Sequence, residues 1–386
     1  MIFSTRSMPR VAVGLAGFAA MMNMYAPQAV LPLLADEFGV GPAGISQIMT
    51  VNALAVAITA PFTGAIADVA GRRRVIALAM ALLVIPDLMM AFSPGLEALL
   101  FWRFVQGLLL PPIFAVSVAY IGSEWPADEA TGITGIFIAA TAVGGFTGRM
   151  LIAVLAEPVG WRHAFFSCAA ITAICAVAIL LLLPAEKNFV RGTTISASLR
   201  QMLRHLRETR LLATYAVGFG IMFNFIAAFT FIGFVLAAEP FSLSPAAIGL
   251  VFVVYLSSLV TTPYTGRLVA RFGRRNFGLM AIAAWFCGIL LTLISTLPAI
   301  VGGLMIAAAS GFYVQTCCQS FVSTHAKEGK SSAIGLYVTS FYIGGSFGGL
   351  LPGLLWNVSG WAGTVALITA MLLVMAAMIR FAWRTS

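Results

Sequence analysis

The sequence has very little charge. Asp, Glu, Lys and Arg together make up 9% of its 386 residues, whereas hydrophobic residues make up 61%. A soluble globular domain has about 25% charged residues, so this composition excludes an ordinary soluble fold and indicates that lipid is the solvent.

Sequence motifs of enzyme chemistry are also missing. There is no phosphate-binding loop, no H-E-x-x-H motif and no pair of intramembrane acids, and the three histidines lie far apart in the sequence. The five cysteines all fall within apolar runs, where a thiol acts as a small buried hydrophobe. We therefore expect no enzyme activity, no metal site, no cofactor and no disulfide framework.

Long apolar runs are abundant. A helix needs about 20 apolar residues to cross the hydrocarbon core of a bilayer, and twelve runs approach or exceed this length. The predicted spans are 11–34, 46–67, 75–95, 98–121, 131–156, 162–184, 211–237, 246–268, 277–297, 299–322, 332–356 and 361–382. Only residues 185–210 form a sizeable break, so the sequence predicts an all-α membrane protein without an inserted soluble domain.

Basic residues are concentrated in alternate connections. If the N-terminus is cytoplasmic, most of the 22 Lys and Arg residues lie on the cytoplasmic side, and the outer connections hold only Arg162. Such a bias sets the orientation of membrane proteins, so both termini are predicted to be cytoplasmic, although residues 123–129 lack the expected basic residue. Topology thereby accounts for the net charge of +9 without a nucleic-acid partner.

The sequence also repeats itself. Three pairs of segments align at nearly one offset: 61–73 (PFTGAIADVAGRR) with 263–275 (PYTGRLVARFGRR), 17–23 with 218–224, and 143–161 with 343–361. Repetition at a fixed offset indicates duplication. We therefore predict two pseudo-symmetric six-helix bundles of like orientation, residues 1–184 and 211–386, joined by a linker at 185–210.

Two motifs connect this architecture with a known family. GAIADVAGRRR (64–74) resembles the G-x-x-x-D-x-x-G-R-[RK]-[RK] signature of the major facilitator superfamily, and RFVQG (103–107) resembles the R-x-x-Q-G motif of that family. GRLVARFGRR (266–275) is a degenerate second copy of the signature, with Ala270 at the acidic position. The resemblance covers essentially the whole chain and implies a transporter whose two halves rock around a central site.

The resemblance further implies a gate between the two halves. Its candidate residues are Gly64, Asp68, Gly71, Arg72, Arg73, Arg74, Gly266, Gly273 and Arg274. Because glycine allows a tight turn, the three arginines can fold back near Asp68. If Asp68 also meets the N-terminus of span 11, the helix dipole contributes roughly 0.3–1 kcal/mol in one state of the transporter. Alternatively, the arginines act only as topology signals.

Spans 5 and 11 carry matching glycines that we predict to pack helices closely. They are Gly135, Gly144, Gly148, Gly335, Gly344 and Gly348. The spacing G-x8-G-x3-G resembles the antiporter signature of proton-linked drug exporters in this superfamily, but Arg149 stands where that signature has proline. The glycines therefore indicate either an exporter or ordinary helix packing.

Three ionisable residues lie clearly within predicted spans, namely Asp87, Arg103 and Arg149. Such residues are rare in membranes and generally mark function. Their positions along the spans place all three toward the outer face, where they could form one cluster. Asp87 could carry a proton beside Arg103. Alternatively, Asp87 and Arg103 form a static pair while Arg149 binds an anionic substrate, or all three are structural.

Uncharged polar residues near the middles of spans 1 and 7 are further candidates. Asn23, Tyr25, Gln28 and Asn224 either bind the substrate in the central site or cross-link helices. In the linker, residues 195–210 combine apolar residues at helical spacing with arginines, which predicts an amphipathic helix along the cytoplasmic interface. That helix is either a tether between moving halves or a plain linker.

Taken together, these features predict a secondary transporter without a cofactor. Proton-coupled efflux of small organic compounds is the first hypothesis, and import or exchange of small organic anions is the alternative. A receptor or sensor without transport is the third. The partners expected are a small-molecule substrate, protons and the lipid bilayer, for a monomer in a bacterial inner membrane.

Overall fold

The computed structural model describes residues 8–186, 195–326 and 330–383, and its regular structure in these ranges is entirely helical. We call the predicted cytoplasmic side the inner side and the opposite side the outer side. Spans 1 to 6 are Met8–Phe38, Pro42–Ala70, Arg72–Ala91, Leu96–Glu124, Ala127–Val159 and Trp161–Leu182. The linker helix is Ile195–His205, and spans 7 to 10 are Thr209–Ala237, Pro245–Phe272, Arg274–Leu291 and Leu297–His325.

The last helical stretch contains spans 11 and 12. Lys330–Ala382 has 53 residues, but Gly360 within it is not helical, with φ 52° and ψ −139°. An unbroken helix of that length would extend about 80 Å, far more than the roughly 30 Å core of a bilayer. The break at Gly360 divides the stretch into two spans, so the prediction of twelve spans is confirmed.

Glycines with positive φ mark the duplication in the backbone. Gly71 (φ 92°) and Gly273 (φ 76°) each lie between the second and third span of a half. Gly160 (φ 84°) and Gly360 (φ 52°) each lie between the fifth and sixth. Side chains rarely adopt this conformation, and glycine allows one helix to end and the next to begin without a loop. The two halves therefore turn in the same way at the same places.

Spans 1 and 7 lie at the centre of the molecule. Within the most apolar windows, 72% of the span 1 residues and 83% of the span 7 residues are buried, compared with 33–56% in the other spans. The two central spans meet where the Gln28 Nε2 donates to the Thr230 Oγ1 at 3.2 Å. The centre of the fold is thus a contact between the two halves.

Four of the predicted packing glycines hold these central spans against their neighbours. Cβ atoms at Gly144 and Gly148 of span 5 would overlap the span 1 backbone, and Cβ atoms at Gly344 and Gly348 of span 11 would overlap the span 7 backbone. The backbones therefore approach so closely that only glycine fits. The seam between spans 1 and 5 is repeated between spans 7 and 11.

The other two glycines do not form such seams. A Cβ at Gly135 would have no heavy atom within 4 Å, so its predicted packing role is wrong. This glycine lies on a face of span 5 that is directed away from span 1, whose Gly17 meets Phe137 instead. A Cβ at Gly335 would make only ordinary contacts, 3.8 Å from the Met202 methyl and 3.9 Å from the Pro61 Cα.

The two bundles contact each other firmly in their outer halves. Span 2 meets span 11 where the Ser346 hydroxyl donates to the Thr50 carbonyl at 3.1 Å. Span 5 meets span 8 where a Cβ at Gly249 would lie 2.8 Å from the Ala153 Cβ. On the inner halves of spans 5 and 8, Gly135 and Gly266 face open space. The structure is therefore closed on the outer side, and on the inner side neither Gly135 nor Gly266 takes part in a contact between spans 5 and 8.

A matched pair of substitutions in span 5 tests the glycine seam. We expect Gly144→Ala to destabilise the protein by about 1–3 kcal/mol, because overpacking forces spans 1 and 5 apart. Gly135→Ala should keep or slightly raise the stability, since alanine favours a helix interior over glycine. Thermal unfolding of the two purified variants in detergent measures the difference. Equal melting temperatures would contradict the seam.

Candidate functional site

Asp87, Arg103 and Arg149 are the only Asp, Glu, Lys or Arg side chains that are fully buried within the described ranges, each 1% exposed or less. An ion in such surroundings costs several kcal/mol unless other groups compensate its charge. The partners of these three residues therefore define the candidate site.

Arg103 of span 4 binds a break in span 1. The α-helix Met8–Tyr25 gives way there to a 3₁₀ segment, Ala26–Val30. Because Pro27 has no N–H group, the Asn23 carbonyl lacks its helical donor. The Arg103 guanidinium replaces that donor at 3.0 Å and also donates to the Met24 carbonyl at 2.9 Å. Arg103 thus stabilises the exposed carbonyls of a broken helix.

Asp87 of span 3 is joined to Arg103 through an amide. The Gln106 Nε2 donates to the Asp87 Oδ1 at 2.5 Å, and the Gln106 Oε1 accepts hydrogen bonds from Arg103 and Asn52. The Asp87 Oδ2 is buried without a hydrogen-bond partner, since the nearby Thr172 hydroxyl donates to a carbonyl of its own helix. We call Asp87, Gln106, Arg103 and Asn52 the Asp87 network. A direct static pair between Asp87 and Arg103 is wrong in this conformation, because Gln106 lies between them.

Arg149 of span 5 lies between aromatic rings. Its guanidinium carbon is 4.3 Å from the centroids of Tyr25 and Tyr255 and 4.9 Å from that of Phe252. Aromatic faces attract a cation, more strongly when both are removed from water. Tyr25 belongs to one bundle and the other two rings to the opposite bundle. Arg149 therefore connects the bundles on the closed outer side.

Hydrogen bonds complete the surroundings of Arg149. Its Nε and Nη2 donate to the Gln28 Oε1 at 2.9 and 2.7 Å, and its Nη1 donates to the Gly145 carbonyl at 2.8 Å. These bonds use three of the five N–H groups of a guanidinium. We call Arg149, Gln28, Tyr25, Phe252 and Tyr255 the Arg149 cage. Within the described part of the chain, no carboxylate forms an ion pair with Arg149.

The expected single cluster of three ionisable residues is therefore wrong. Asp87 and Arg103 share one network, whereas Arg149 turns to Gln28 and to the rings of span 8. Both sites bind span 1, the Asp87 network before its break and the Arg149 cage at and after it. The roles of Gln106, Phe252 and Tyr255 were not predicted from the sequence. Only Gln106 carried a signal, through its place in RFVQG.

Asn23 and Asn224 do not line a central site. The Asn23 Nδ2 donates to the Thr172 Oγ1 of span 6 at 2.9 Å, and the Asn224 Nδ2 contacts the Met375 sulfur of span 12 at 3.5 Å. Both asparagines are fully buried against spans of their own bundle. The alternative interpretation, in which they cross-link helices, fits this geometry.

The turn between spans 2 and 3 is tied to span 6. Asp68 pairs with Arg72 at 3.3 Å, but Arg73 donates to the Leu183 carbonyl at the end of span 6, at 2.6 Å. Glu186 accepts the backbone N–H of Arg72 at 3.0 Å. The expectation that all three arginines approach Asp68 is therefore wrong for Arg73, because the free carbonyls of a helix end attract it. Arg74 is exposed.

In the second copy of this turn, Arg274 is directed toward span 10. It donates to the Ser320 Oγ at 3.3 Å and lies 5.5 Å above the Phe321 ring. Gly64 and Gly266, like Gly135, face open space. Residues 327–329, directly before span 11, lie outside the described ranges, as do the linker residues 187–194.

The predicted linker helix is present on the inner side. Met202 is buried beside Gly335 of span 11, whereas Leu203 is 63% exposed. The linker is also joined to span 10, because the His325 Nε2 lies 2.5 Å from a Glu208 carboxylate oxygen. The helix is therefore docked on the second bundle.

Comparisons with known proteins agree with this architecture. A family model described as Major Facilitator Superfamily matches residues 13–237 and 217–386. The "Inner membrane transport protein YnfM" of Escherichia coli (strain K12) is 30% identical over 93% of this chain and 86% of its own length. The "Uncharacterized MFS-type transporter YybF" of Bacillus subtilis (strain 168) is 28% identical over 93% and 89%.

Solved structures share the fold at low sequence identity. The human organic anion transporter MFSD10 (TETRAN) superposes with a TM-score of 0.75 at 17% identity, covering 98% of this chain and 100% of the other. A mutant of the nucleoside transporter NupG gives a TM-score of 0.78 at 14% identity, covering 97% and 100%.

Replacing Arg103 by lysine tests its role at the span 1 break. Lysine keeps the charge but lacks the planar fork that reaches two carbonyls at once. We expect Arg103→Lys to lower the free energy of unfolding by about 1–3 kcal/mol, since it leaves a buried carbonyl unsatisfied. Arg162→Lys is the control, because Arg162 is exposed and its ion pair with Glu37 contributes about 0–1 kcal/mol. Similar melting temperatures for both variants would disprove the role of Arg103.

Proposed function

Since the chain belongs to the Major Facilitator Superfamily and is therefore a multi-pass membrane transporter, we propose that it exports small organic compounds in exchange for protons. Transport follows alternating access, and a proton gradient supplies the driving force. The proposal includes a monomer in a bacterial inner membrane, with both termini in the cytoplasm.

The observation that supports proton coupling is the state of Asp87. This carboxyl group is buried, one oxygen accepts a hydrogen bond from Gln106, and the other has no partner. A buried carboxylate with one oxygen that lacks a hydrogen-bond partner is only partly compensated, and such an ion costs several kcal/mol. A proton on the Oδ2 removes that charge. Asp87 is thus suited to hold a proton while closed off and to release it when water enters.

Arg103 assists the release of the proton. Backbone carbonyls and Gln106 hold its guanidinium in place, so a fixed positive charge lies one amide away from Asp87. When the site opens and water solvates the carboxylate, this charge favours the ionised form. The network can therefore support both the loaded and the unloaded state.

Export requires the outer contacts to open. Those contacts include the Gln28–Thr230 hydrogen bond, the Thr50–Ser346 hydrogen bond and the contact of Arg149 with Tyr255. The rigid glycine seams lie within the bundles, so each bundle can move as one body. The Asp68–Arg72 pair then serves as part of the gate in the opposite state, in which the inner ends of the bundles are closed.

Asp87→Asn is the direct test of proton coupling. We expect this variant to fold, because an amide replaces the carboxyl at similar volume, and to lose proton-driven transport. Asp36→Asn is the control, since Asp36 is exposed at the outer end of span 1. Accumulation of ethidium, chloramphenicol or benzoate in inside-out vesicles, under an imposed pH gradient, measures the activity. Unimpaired gradient-driven transport by folded Asp87→Asn would rule out Asp87 as the proton carrier.

A second candidate function is the exchange of small organic anions. The observation in its favour is that the buried Arg149 has hydrogen-bond capacity left and no acidic partner in the described ranges. Carboxylates bind guanidinium groups through paired hydrogen bonds. One structural neighbour is named an organic anion transporter, but the likeness at 17% identity concerns the fold.

Arg149→Met separates the two functions. If Arg149 binds anions, methionine should raise the KM for benzoate at least about tenfold, the equivalent of 1.4 kcal/mol, without a comparable effect on ethidium. Tyr255→Phe is the control, because it retains the aromatic ring that contacts Arg149. Uptake into vesicles across a range of probe concentrations gives KM for each variant. An unchanged KM for benzoate would eliminate the anion function of Arg149.

A further inference from the structure

We infer that Gln106 is a positioning residue that transmits the protonation state of Asp87 to the break in span 1, and through it to the outer contacts of the bundles. This inference rests on the proposed proton coupling and adds the path by which it acts. Four observations support it: the fixed orientation of the Gln106 amide, the position of Arg103, the course of span 1, and the absence of the network from the second half.

The Gln106 amide can take only one orientation. Its Nε2 donates to Asp87, and its Oε1 accepts from Arg103 and Asn52. A flipped amide would direct its N–H groups at those two donors. The hydrogen bond to a carboxylate is roughly twice as strong as the bond to a neutral acid. Protonation of Asp87 therefore weakens its hydrogen bond with the Gln106 Nε2. The Oε1 of the same amide binds Arg103.

Arg103 carries this change to span 1. Its guanidinium is planar and rigid, and it is shared between Gln106 and the carbonyls of Asn23 and Met24. A shift of one partner consequently alters the bonds to the others. The carbonyls belong to the last turn before the 3₁₀ segment, where the helix has fewest hydrogen bonds of its own.

Span 1 leads from this break to the outer contacts. Tyr25 covers one face of Arg149, and Gln28 binds both Arg149 and Thr230 of the opposite bundle. The angle at the break determines where these two side chains lie. A change at Arg103 is therefore positioned to close or release the outer side.

The described residues of the second half form no such network. Counting from the first residues of the equivalent spans, the positions of Asp87, Arg103 and Gln106 correspond to Ile289, Leu304 and Ala307. A polar network that served helix packing alone would be equally useful in both halves of a duplicated fold. The asymmetry favours a role in the proton cycle.

Distance measurements at the outer side test the inference without a known substrate. Spin labels at Glu97 and Leu297 report the separation of the bundles, because both residues are exposed and lie in the first turns of the equivalent spans 4 and 10. Cys287→Ser removes the exposed native thiol, and the full chain is reconstituted in liposomes. We expect the wild-type distance to shift between acidic and neutral pH, and Gln106→Met to lose that shift.

A second variant protects the test against misfolding. Gln106→Asn keeps a buried amide, so it should fold where methionine fails, but its shorter side chain cannot reach Asp87 and Arg103 together. We expect it to lose the pH-dependent shift as well. Thr292→Val is the matched control, because it removes a buried hydrogen bond, from the Trp361 Nε1 at 3.1 Å, far from the Asp87 network. It should respond to pH like the wild type.

The outcomes separate the inference from the proposed function. If the wild type shows no shift with pH, the proton coupling fails and the inference fails with it. If Asp87→Asn abolishes the shift while folded Gln106→Met or Gln106→Asn keeps it, the coupling stands and the role of Gln106 is overturned. Loss of the shift in folded Gln106 variants, but not in Thr292→Val, supports the inference.

Discussion

The structure depends on one buried charge meeting one broken helix. Pro27 deprives the Asn23 carbonyl of its donor, and Arg103 supplies the missing hydrogen bond from the neighbouring span. The hydrogen bond satisfies both groups, since a carbonyl without a donor and a guanidinium without acceptors are both costly to bury. Because the break occurs there, span 1 can direct Tyr25 and Gln28 toward the opposite bundle. The Asp87 network and the Arg149 cage both contact span 1 around this break.

The two halves share the same backbone architecture but differ in the buried polar and aromatic residues that they contribute. Both use paired glycine turns and the same seam of small residues against a central helix. Among the residues that the structure describes, however, the buried ions all belong to the first half, while the second half contributes Phe252 and Tyr255 to Arg149. The cage therefore has its cation in one bundle and two of its three rings in the other. Such a contact breaks only when the bundles part, which makes it a suitable outer closure.

The sequence predicts the features that depend on neighbouring residues, and it does not predict those that depend on how the helices are rotated and packed. Span length, the repeat and the three intramembrane ions depend on composition and spacing, and they were readable. The rotation of each helix about its axis could not be predicted from the sequence. Gly135 and Gly144 therefore looked alike, although only Gly144 touches span 1. Asn23 likewise fits either a binding site or a cross-link until its neighbours are known. Tyr255 lies within a largely aliphatic run, and only the contact between the bundles brings it to Arg149.

The amide between Asp87 and Arg103 explains why the network suits a proton carrier better than an ion pair would. Two opposite charges 4 Å apart attract by about 4 kcal/mol at an effective dielectric constant of 20. A direct pair of this strength would keep Asp87 ionised in every state, and no proton could be loaded. Gln106 separates the charges while still binding both. Asp87 can then be neutral when buried and ionised when water reaches it, which is the alternation that proton-driven transport requires.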